Sequence, residues 1–313
     1  MPDQSVIRLG CLRIADHFIA AVTNGRLKNA DIGFSSFEMQ LACMNSFEHI
    51  KDSLIDGQID GAFIPLPFAM DIFRAGLEIK LLMFANRAGG IFVKNTAADI
   101  NRIKDLKNKT ILVPCLMTVQ NMLLHKMLLS AGLQLGTLRD KKANVFLEVI
   151  PENIIAEIVE NDSDNDIGGF VASEPFATIA LKAANCKKMC KFDSLWADHP
   201  DSVFVLKNSF IEKTPEHVGE LVKAFITSAE VINSSSSNSV LSYAETFFKQ
   251  NIEIVKSLLP GIKGMFVTAK LFPAISDVET VQDYIAAQDF LIFKKIDIQK
   301  FIDASFLQYS KED

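Results

Sequence analysis

The sequence predicts an α/β protein of two compact units, each a mostly parallel sheet flanked by helices, with a helical C-terminal segment. Three observations carry this. The chain has 313 residues, and a length of that order fits two units of about 150 residues better than one core. Strand-like and helix-like runs alternate through residues 6–184, the rhythm of parallel strands joined by helices. Beyond residue 206 the alternation stops and the pattern is mainly helical.

Taken in order, 6–11 is a short β-prone run, and Asp16 is placed to cap a helix running through Val22. A second strand is read at 30–34. Phe47, Ile50 and Leu54 recur at helical spacing, Gly57 closes that helix, and 61–65 is a third strand. Residues 68–75 read as a helix stopped by Gly76. The nearly continuous apolar run 78–86 reads as a strand buried on both faces. From Asp105 the rhythm restarts: strand 110–114, helix 118–130, strand 145–149, helix 151–159 opening on Pro151, strand 167–172 and helix 175–184. Strand 202–206 follows. Thr214-Pro215-Glu216 then opens a long helix with a hydroxyl, a proline and an acid in suitable order. Residues 234–238 form a polar loop between helices, too short to link domains.

This order suits an inserted middle unit. Residues 1–92 with 204–313 form one lobe and 106–200 the other. The chain is expected to cross between them at 91–94 and 203–206, both extended and apolar. Such crossings make a hinge, and a ligand sits in the cleft beside it.

Composition narrows the function. Hydrophobic residues make up 49% and charged residues 22%, as in globular proteins with filled cores. A net charge of -6 offers no basic stripe to neutralise phosphates, which argues against a nucleic-acid partner. No apolar run approaches the roughly 20 residues of a membrane helix, so no direct membrane span is expected. The opening Met-Pro-Asp-Gln-Ser lacks the charged and apolar regions of an export signal. The expectation is a periplasmic or cell-envelope protein whose signal lies outside this sequence, with a cytoplasmic location as the alternative. The five cysteines are odd in number and scattered, unlike a disulfide framework.

In doubly wound sheets, ligands lie off the carboxyl ends of strands against helix N-termini. That rule selects five loops: 13–17, 65–68, 86–90, 116–120 and 173–176. Arg13, His17 and Arg87 supply cations or donors there, and Thr118 and Gln120 supply neutral donors. Together they make a plausible cradle for a small anion, with no enzyme chemistry and no cofactor or metal required.

Four passages carry a more specific resemblance. DSLIDGQIDGAFIPLPFAM (52–70), DLKNKTILVP (105–114), DIGGFVASEPF (166–176) and LWADHPDSV (195–203) resemble, in order, passages of the nitrate, sulfonate, taurine and bicarbonate solute-binding proteins of ABC transporters. The resemblance implies a type II periplasmic-binding-protein fold, capture of a small oxyanion between the lobes, and delivery to an ABC transporter permease. It also implies ligand contacts from Ala15, Asp16 and His17, from Pro65 and Pro67, from Thr118, Gln120 and Asn121, and from Glu174 and His199. Two departures stand out. Trp196 is the only tryptophan, and the passage at Leu116-Met117-Thr118 lacks the Gly-rich, His-containing form of the nitrate branch.

Other readings stay open or fall. A cytoplasmic ligand sensor and a pyrimidine-precursor binding or synthesis protein share the expected fold. Arg87-Ala88-Gly89-Gly90 resembles the R-x-G-G motif of a sulfinate desulfinase on that fold, which needs a cysteine nucleophile such as Cys11 or Cys115. Residues 162–166 begin like a calcium loop, but Ile167 and Ser173 stand where Gly and Glu are required. Cys186 and Cys190 lack the second pair or histidine of a zinc site.

Overall fold

The computed structural model describes residues 5–234, 238–288 and 293–310. Residues 235–237 of the expected polar loop lie outside them. The first block runs β1 (Ser5–Cys11), α1 (Phe18–Lys28), β2 (Phe37–Cys43), α2 (Phe47–Ile55), β3 (Gly61–Pro65), α3 (Leu66–Arg74) and β4 (Ile79–Phe84). The second runs β5 (Ile91–Asn95), β6 (Thr110–Val113), α4 (Val119–Ser130), β7 (Leu135–Gly136), β8 (Val145–Val149), α5 (Glu152–Glu160), β9 (Ile167–Ala172), α6 (Phe176–Ala180) and β10 (Cys186–Lys191). Then come β11 (Ser202–Lys207), α7 (Asn208–Lys213), α8 (Pro215–Ser234), α9 (Asn238–Phe248), α10 (Ile252–Ile262), α11 (Ile275–Ala286) and α12 (Ile298–Phe301).

Two sheets result, ordered β2-β1-β3-β11-β4 and β10-β5-β9-β6-β8-β7. Each contains one strand running against its neighbours on both sides. In the first sheet it is β11, antiparallel to β3 and β4. In the second it is β5, antiparallel to β9 and β10. Both are the first strand laid down after the chain arrives from the other sheet, so each reversal marks a crossing.

The two segments expected at the crossings lie in regular strands. Segment 91–94 is an interior strand of the second sheet, and 203–206 an interior strand of the first. The chain passes between sheets just before each, at 85–90 and 192–201. The apolar character read as a hinge signal is the core burial of two central strands; Phe92, Val93, Val203, Phe204 and Val205 are fully buried. The crossings contain the polar and glycine residues that a turning backbone needs. They pair through Arg87 and Pro200, and Ala88 N donates to His199 O at 2.7 Å.

Local departures have local causes. The second strand is β2, not 30–34, where Ala30 takes a left-handed φ of 59° and the chain turns. In β2 only alternate residues such as Phe37 and Met39 are buried, the pattern of an edge strand with one wet face. β10, the polar edge segment CKKMCK, gives no apolar run to read. Asp16 does not cap α1, whose N-terminus has no side-chain cap; its carboxyl is turned inward. Thr118 does cap α4, accepting from Asn121 N at 3.1 Å. One apolar core runs from Ile64 and Phe84 of the first sheet to Phe92 and Val113 of the second, so the two halves meet over a packed surface. Among the described residues, no helix is long and apolar enough to cross a membrane.

Candidate functional site

Between the two sheets lies a small cavity with polar walls. The first half contributes Ile14, Asp16, Phe47 and Pro65, and the crossing into β11 contributes Asp201 and Ser202. From the second half come Pro114, Thr118, Gln120, Glu152, Val171 and Ser173. Most of these residues follow the carboxyl ends of β1, β2, β3, β6, β8 and β9, as the strand-end rule requires, while Asp201 and Ser202 lie at the amino end of the antiparallel β11.

The polar groups form one network across the halves. Ser173 Oγ donates to Asp16 Oδ2 at 2.7 Å, and Ala15 N donates to Glu174 O at 2.7 Å. The Asn86 amide nitrogen contacts both Asp16 Oδ1 (3.2 Å) and Asp201 Oδ2 (3.3 Å). Asn86 Oδ1 accepts from Ser202 N at 2.9 Å, which fixes which end of the amide faces the acids. Glu152 Oε1 accepts from Ser173 N at 3.3 Å, while Glu152 Oε2 is buried with no hydrogen-bond partner. Two carboxyls, Asp16 and Glu152, therefore meet at Ser173, and Asn86 joins Asp16 to a third, Asp201; they are 3% (Asp16), 7% (Glu152) and 2% (Asp201) exposed.

Burial raises all three acids above the usual carboxylate range. It pushes Asp16 well above the usual carboxylate range, helped by the Asp201 charge and opposed by the Ser173 hydrogen bond. Burial pushes Glu152 up to about 8. Asp201 also rises through burial, although His199 and hydrogen bonds from Gln120 and Asn86 pull the other way.

The glycines of the Arg87-Ala88-Gly89-Gly90 segment have a structural purpose at this point. Gly89 (φ 119°) passes so close to the acids that a Cβ would lie 3.1 Å from Asp16 Oδ1 and 3.3 Å from Asp201 Oδ2. At Gly90 (φ 74°) a Cβ would lie 2.7 Å from Gln120 Cγ. Both need the left-handed backbone and the missing side chain.

Of the residues singled out in the sequence, Asp16, Pro65, Thr118 and Gln120 line the cavity. Glu174 touches the network through its carbonyl, while its carboxylate accepts from Thr178 N and Oγ1 at the start of α6. Pro67 is buried in the first turn of α3. Asn121 donates to Cys115 O and Leu116 O and, with Thr118, lines an adjoining apolar cavity that reaches Tyr284 of α11. The His17 ring is enclosed by Phe47 and Phe63, accepts from Leu12 N at 2.9 Å, and is pushed by burial down to about 3, so it stays neutral. His199 is fully buried with Nδ1 2.9 Å from Trp196 O, a turn-fixing arrangement.

The two expected cations are elsewhere. Arg13 bonds Phe247 O at 3.1 Å and faces an outer groove beside Cys43 and Lys249. Arg87 pairs with Asp277 at 2.7 Å, bonds Asp198 O, and lies over the Phe84 ring. Strand-end position located these residues but not the direction of their side chains. Glu152 and Asp201 were missed as cavity groups, and Asn86 as the amide that joins Asp16 to Asp201. Glu152 was findable, because it opens the helix after β8 just as Thr118 precedes the helix after β6.

The cysteines of the desulfinase reading are poorly placed as nucleophiles. Cys11 is buried in β1 beside Cys43, and burial pushes the Cys115 thiol up to about 12. At 162–166 the Asp162 carboxylate accepts from Asp166 N and Ile167 N, closing a turn. Among the described residues, no group of three or more His, Cys, Asp or Glu is placed to hold a metal ion.

Residues 1–243 match the model of the NMT1-like family. The chain belongs to this family. Solved structures share its fold over nearly the whole length. The ligand-binding component of an ABC-type import system from Staphylococcus aureus, with zinc bound, has a TM-score of 0.81 at 17% identity, covering 99% of this chain and 100% of that one. The periplasmic nitrate-binding protein NrtA from Synechocystis PCC 6803 gives 0.80 at 15%, covering 99% and 89%. The periplasmic aliphatic sulphonate binding protein SsuA from Escherichia coli gives 0.72 at 12%, covering 95% and 97%. The NMT1-like chain therefore has the two-lobed periplasmic-binding-protein fold. It is also 25% identical over 245 residues to the nitrate import ATP-binding protein NrtC of Synechococcus elongatus, covering 73% of this chain and 35% of that protein. The chain thus spans about a third of that relative's length.

Proposed function

We propose that this NMT1-like chain is a solute-binding protein that captures a small polar solute between its two halves and delivers it to an ABC transporter permease in the cell envelope. The observation that carries the reading is the enclosed polar cavity at the strand ends, spanned by the Ser173–Asp16 and Ala15–Glu174 hydrogen bonds. Residues 5–84 with 202–310 move as one lobe and 91–191 as the other, with 85–90 and 192–201 as the hinge. A solute that contacts both lobes favours the closed state by its differential affinity, and closure is what a permease can recognise.

The relatives named for nitrate and sulphonates make a small oxyanion the first solute class to test. A specific observation admits it: Glu152, pushed up to about 8, is neutral near pH 7 and can donate its proton to an oxyanion beside Thr118 and Gln120. The test combines native mass spectrometry of freshly purified protein with thermal melts against a solute panel. A bound solute present at 100 times its Kd raises stability by about 2.7 kcal/mol. A solute retained without turnover supports the proposal. Chemical turnover of the solute, or a panel with no binder, overturns it.

A further inference from the structure

From the carboxyls that face the cavity, with Glu152 Oε2 buried and unpartnered among them, we infer that the solute is a small nitrogenous cation of the ammonium, amidinium or guanidinium class. The inference rests on the solute-binding reading of this cleft and names its ligand chemistry.

Four facts lead there. Asp16, Glu152 and Asp201 come from three separate segments and converge on one enclosed space. No lysine or arginine is among the residues lining it, since Arg13 and Arg87 are held by Phe247 and by Asp277 with Asp198. Several donors at the site already serve the acids: Ser173 Oγ serves Asp16, Ser173 N serves Glu152, the Asn86 amide serves Asp16 and Asp201, and Gln120 serves Asp201. The remaining acceptor, Glu152 Oε2, has nothing to accept from.

A buried acceptor with no donor is costly, and several buried carboxyls with no counter-charge are costlier. In the solute-free protein burial answers this by shifting the acids toward their protonated forms. A solute bearing two or more N–H groups and a positive charge meets it better, because each N–H finds a carboxylate oxygen and the charges compensate. An oxyanion gains from the same walls only while they remain protonated. The two classes therefore predict opposite pH slopes. Cation binding displaces protons from Asp16, Glu152 and Asp201 and strengthens as pH rises; oxyanion binding needs those protons and weakens. The other charged or titratable groups acting on this cluster are Glu174, Asp193 and His199.

The experiment is isothermal titration calorimetry of the full chain at pH 6.0, 7.0 and 8.5. The probes are acetamidinium, methylammonium and low-millimolar guanidinium chlorides against sodium nitrate and sodium methanesulfonate, with sodium chloride as the ionic-strength control. The expected result is binding of at least one nitrogenous cation, at least tenfold tighter at pH 8.5 than at pH 6.0, with proton release in two buffers of different ionisation enthalpy. Glu152→Gln, which keeps the size and the acceptor for Ser173 N, weakens it at least tenfold; should that variant not fold, the wild-type pH slope and proton release decide alone. Nitrate or methanesulfonate binding that weakens with pH, without cation binding, overturns the inference and leaves the solute-binding reading standing. Binding by neither class overturns both.

Discussion

The Ser173 hydroxyl donates to Asp16 Oδ2 at 2.7 Å, and the next residue, Glu174, accepts from Ala15 N through its carbonyl at the same distance. One side-chain bond and one backbone bond thus join the loop after β1 to the loop after β9. The link lies beside Gly89, whose backbone passes close to Asp16 Oδ1.

Removing the Ser173 hydroxyl should loosen this link. A buried acceptor deprived of its donor costs about 1–3 kcal/mol. Ser173→Ala is therefore expected to weaken solute affinity roughly 5- to 150-fold and to enlarge the solute-free radius of gyration. Small-angle X-ray scattering and calorimetry measure both. Unchanged values would show that the Asp16–Ser173 bond does not govern closure.

Gly89→Ala tests the close approach of the backbone to Asp16 and Asp201. At φ 119° an alanine is strained, and its Cβ would press on Asp16 Oδ1 and Asp201 Oδ2. A penalty of about 1–3 kcal/mol in stability is expected. Gly76→Ala is the control, since a Cβ at Gly76 (φ 99°) would meet nothing within 4 Å. It carries the backbone strain alone, so Gly89→Ala should destabilise more. Equal losses in melting temperature would rule out the contact with the acids.

Arg87→Ala should affect stability and leave affinity alone. The guanidinium, with a side chain 12% exposed, holds Asp277 at 2.7 Å and Asp198 O at 2.7 Å. Its loss leaves those acceptors partly unpaired, at about 1–3 kcal/mol. Solute affinity within twofold of wild type is the expected outcome. An affinity loss of tenfold or more would return Arg87 to the site.

Much of this architecture was legible because strands and helices announce themselves by burial. The runs at 61–65, 110–113 and 167–172 are nearly all buried, and Pro215 and Thr118 mark helix starts. β2 and β10 escaped because edge strands are half polar. Strand-end position picks out loops that line the cavity, but it does not say where their side chains point. Arg13 and Asp16 are only three residues apart, but one side chain faces an outer groove and the other the cavity. Side-chain direction in a turning loop follows from tertiary contacts such as Phe247 O, which sequence order does not reveal.

Cys43 should be the most reactive thiol. It stands opposite Cys11 on the adjacent strand, Sγ to Sγ 3.6 Å. The Cys11 hydrogen bond, aided by Arg13, Lys249 and Lys28, brings it down to about 7. Burial instead pushes Cys115 up to about 12 and Cys186 up to about 11. Thiolate is the reactive form, so iodoacetamide at pH 7 is expected to label Cys43 first, at least tenfold faster than Cys115. Peptide mapping over time checks this, and equal rates would contradict the assignment.

The pH dependence of the solute-free protein follows from Glu152. Burial raises its folded-state value to about 8, against about 4.3 in an unfolded chain. Between those two values the unfolded chain has released the proton while the folded protein keeps it. The unfolded state then binds fewer protons, so stability falls as pH rises through this window and is fullest below about 4.3. Asp16 and Asp201 are raised by burial and act in the same direction. A tenfold change in a group's acidity on folding is equivalent to about 1.4 kcal/mol, and relaxation of the site reduces what is realised, so a loss on the order of 2 kcal/mol between pH 5.5 and 8 is expected. In thermal melts this is a fall of several degrees. Exposed acids such as Asp198, lowered by its hydrogen bond to Lys270, titrate below this range and do not mask it. Glu152→Gln removes the proton that the window concerns, so its melting temperature should change less with pH and exceed that of wild type at pH 8. A wild-type protein whose stability rises from pH 5.5 to 8, or a variant with the same slope, would show that the carboxyls at Ser173 are already ionised and compensated.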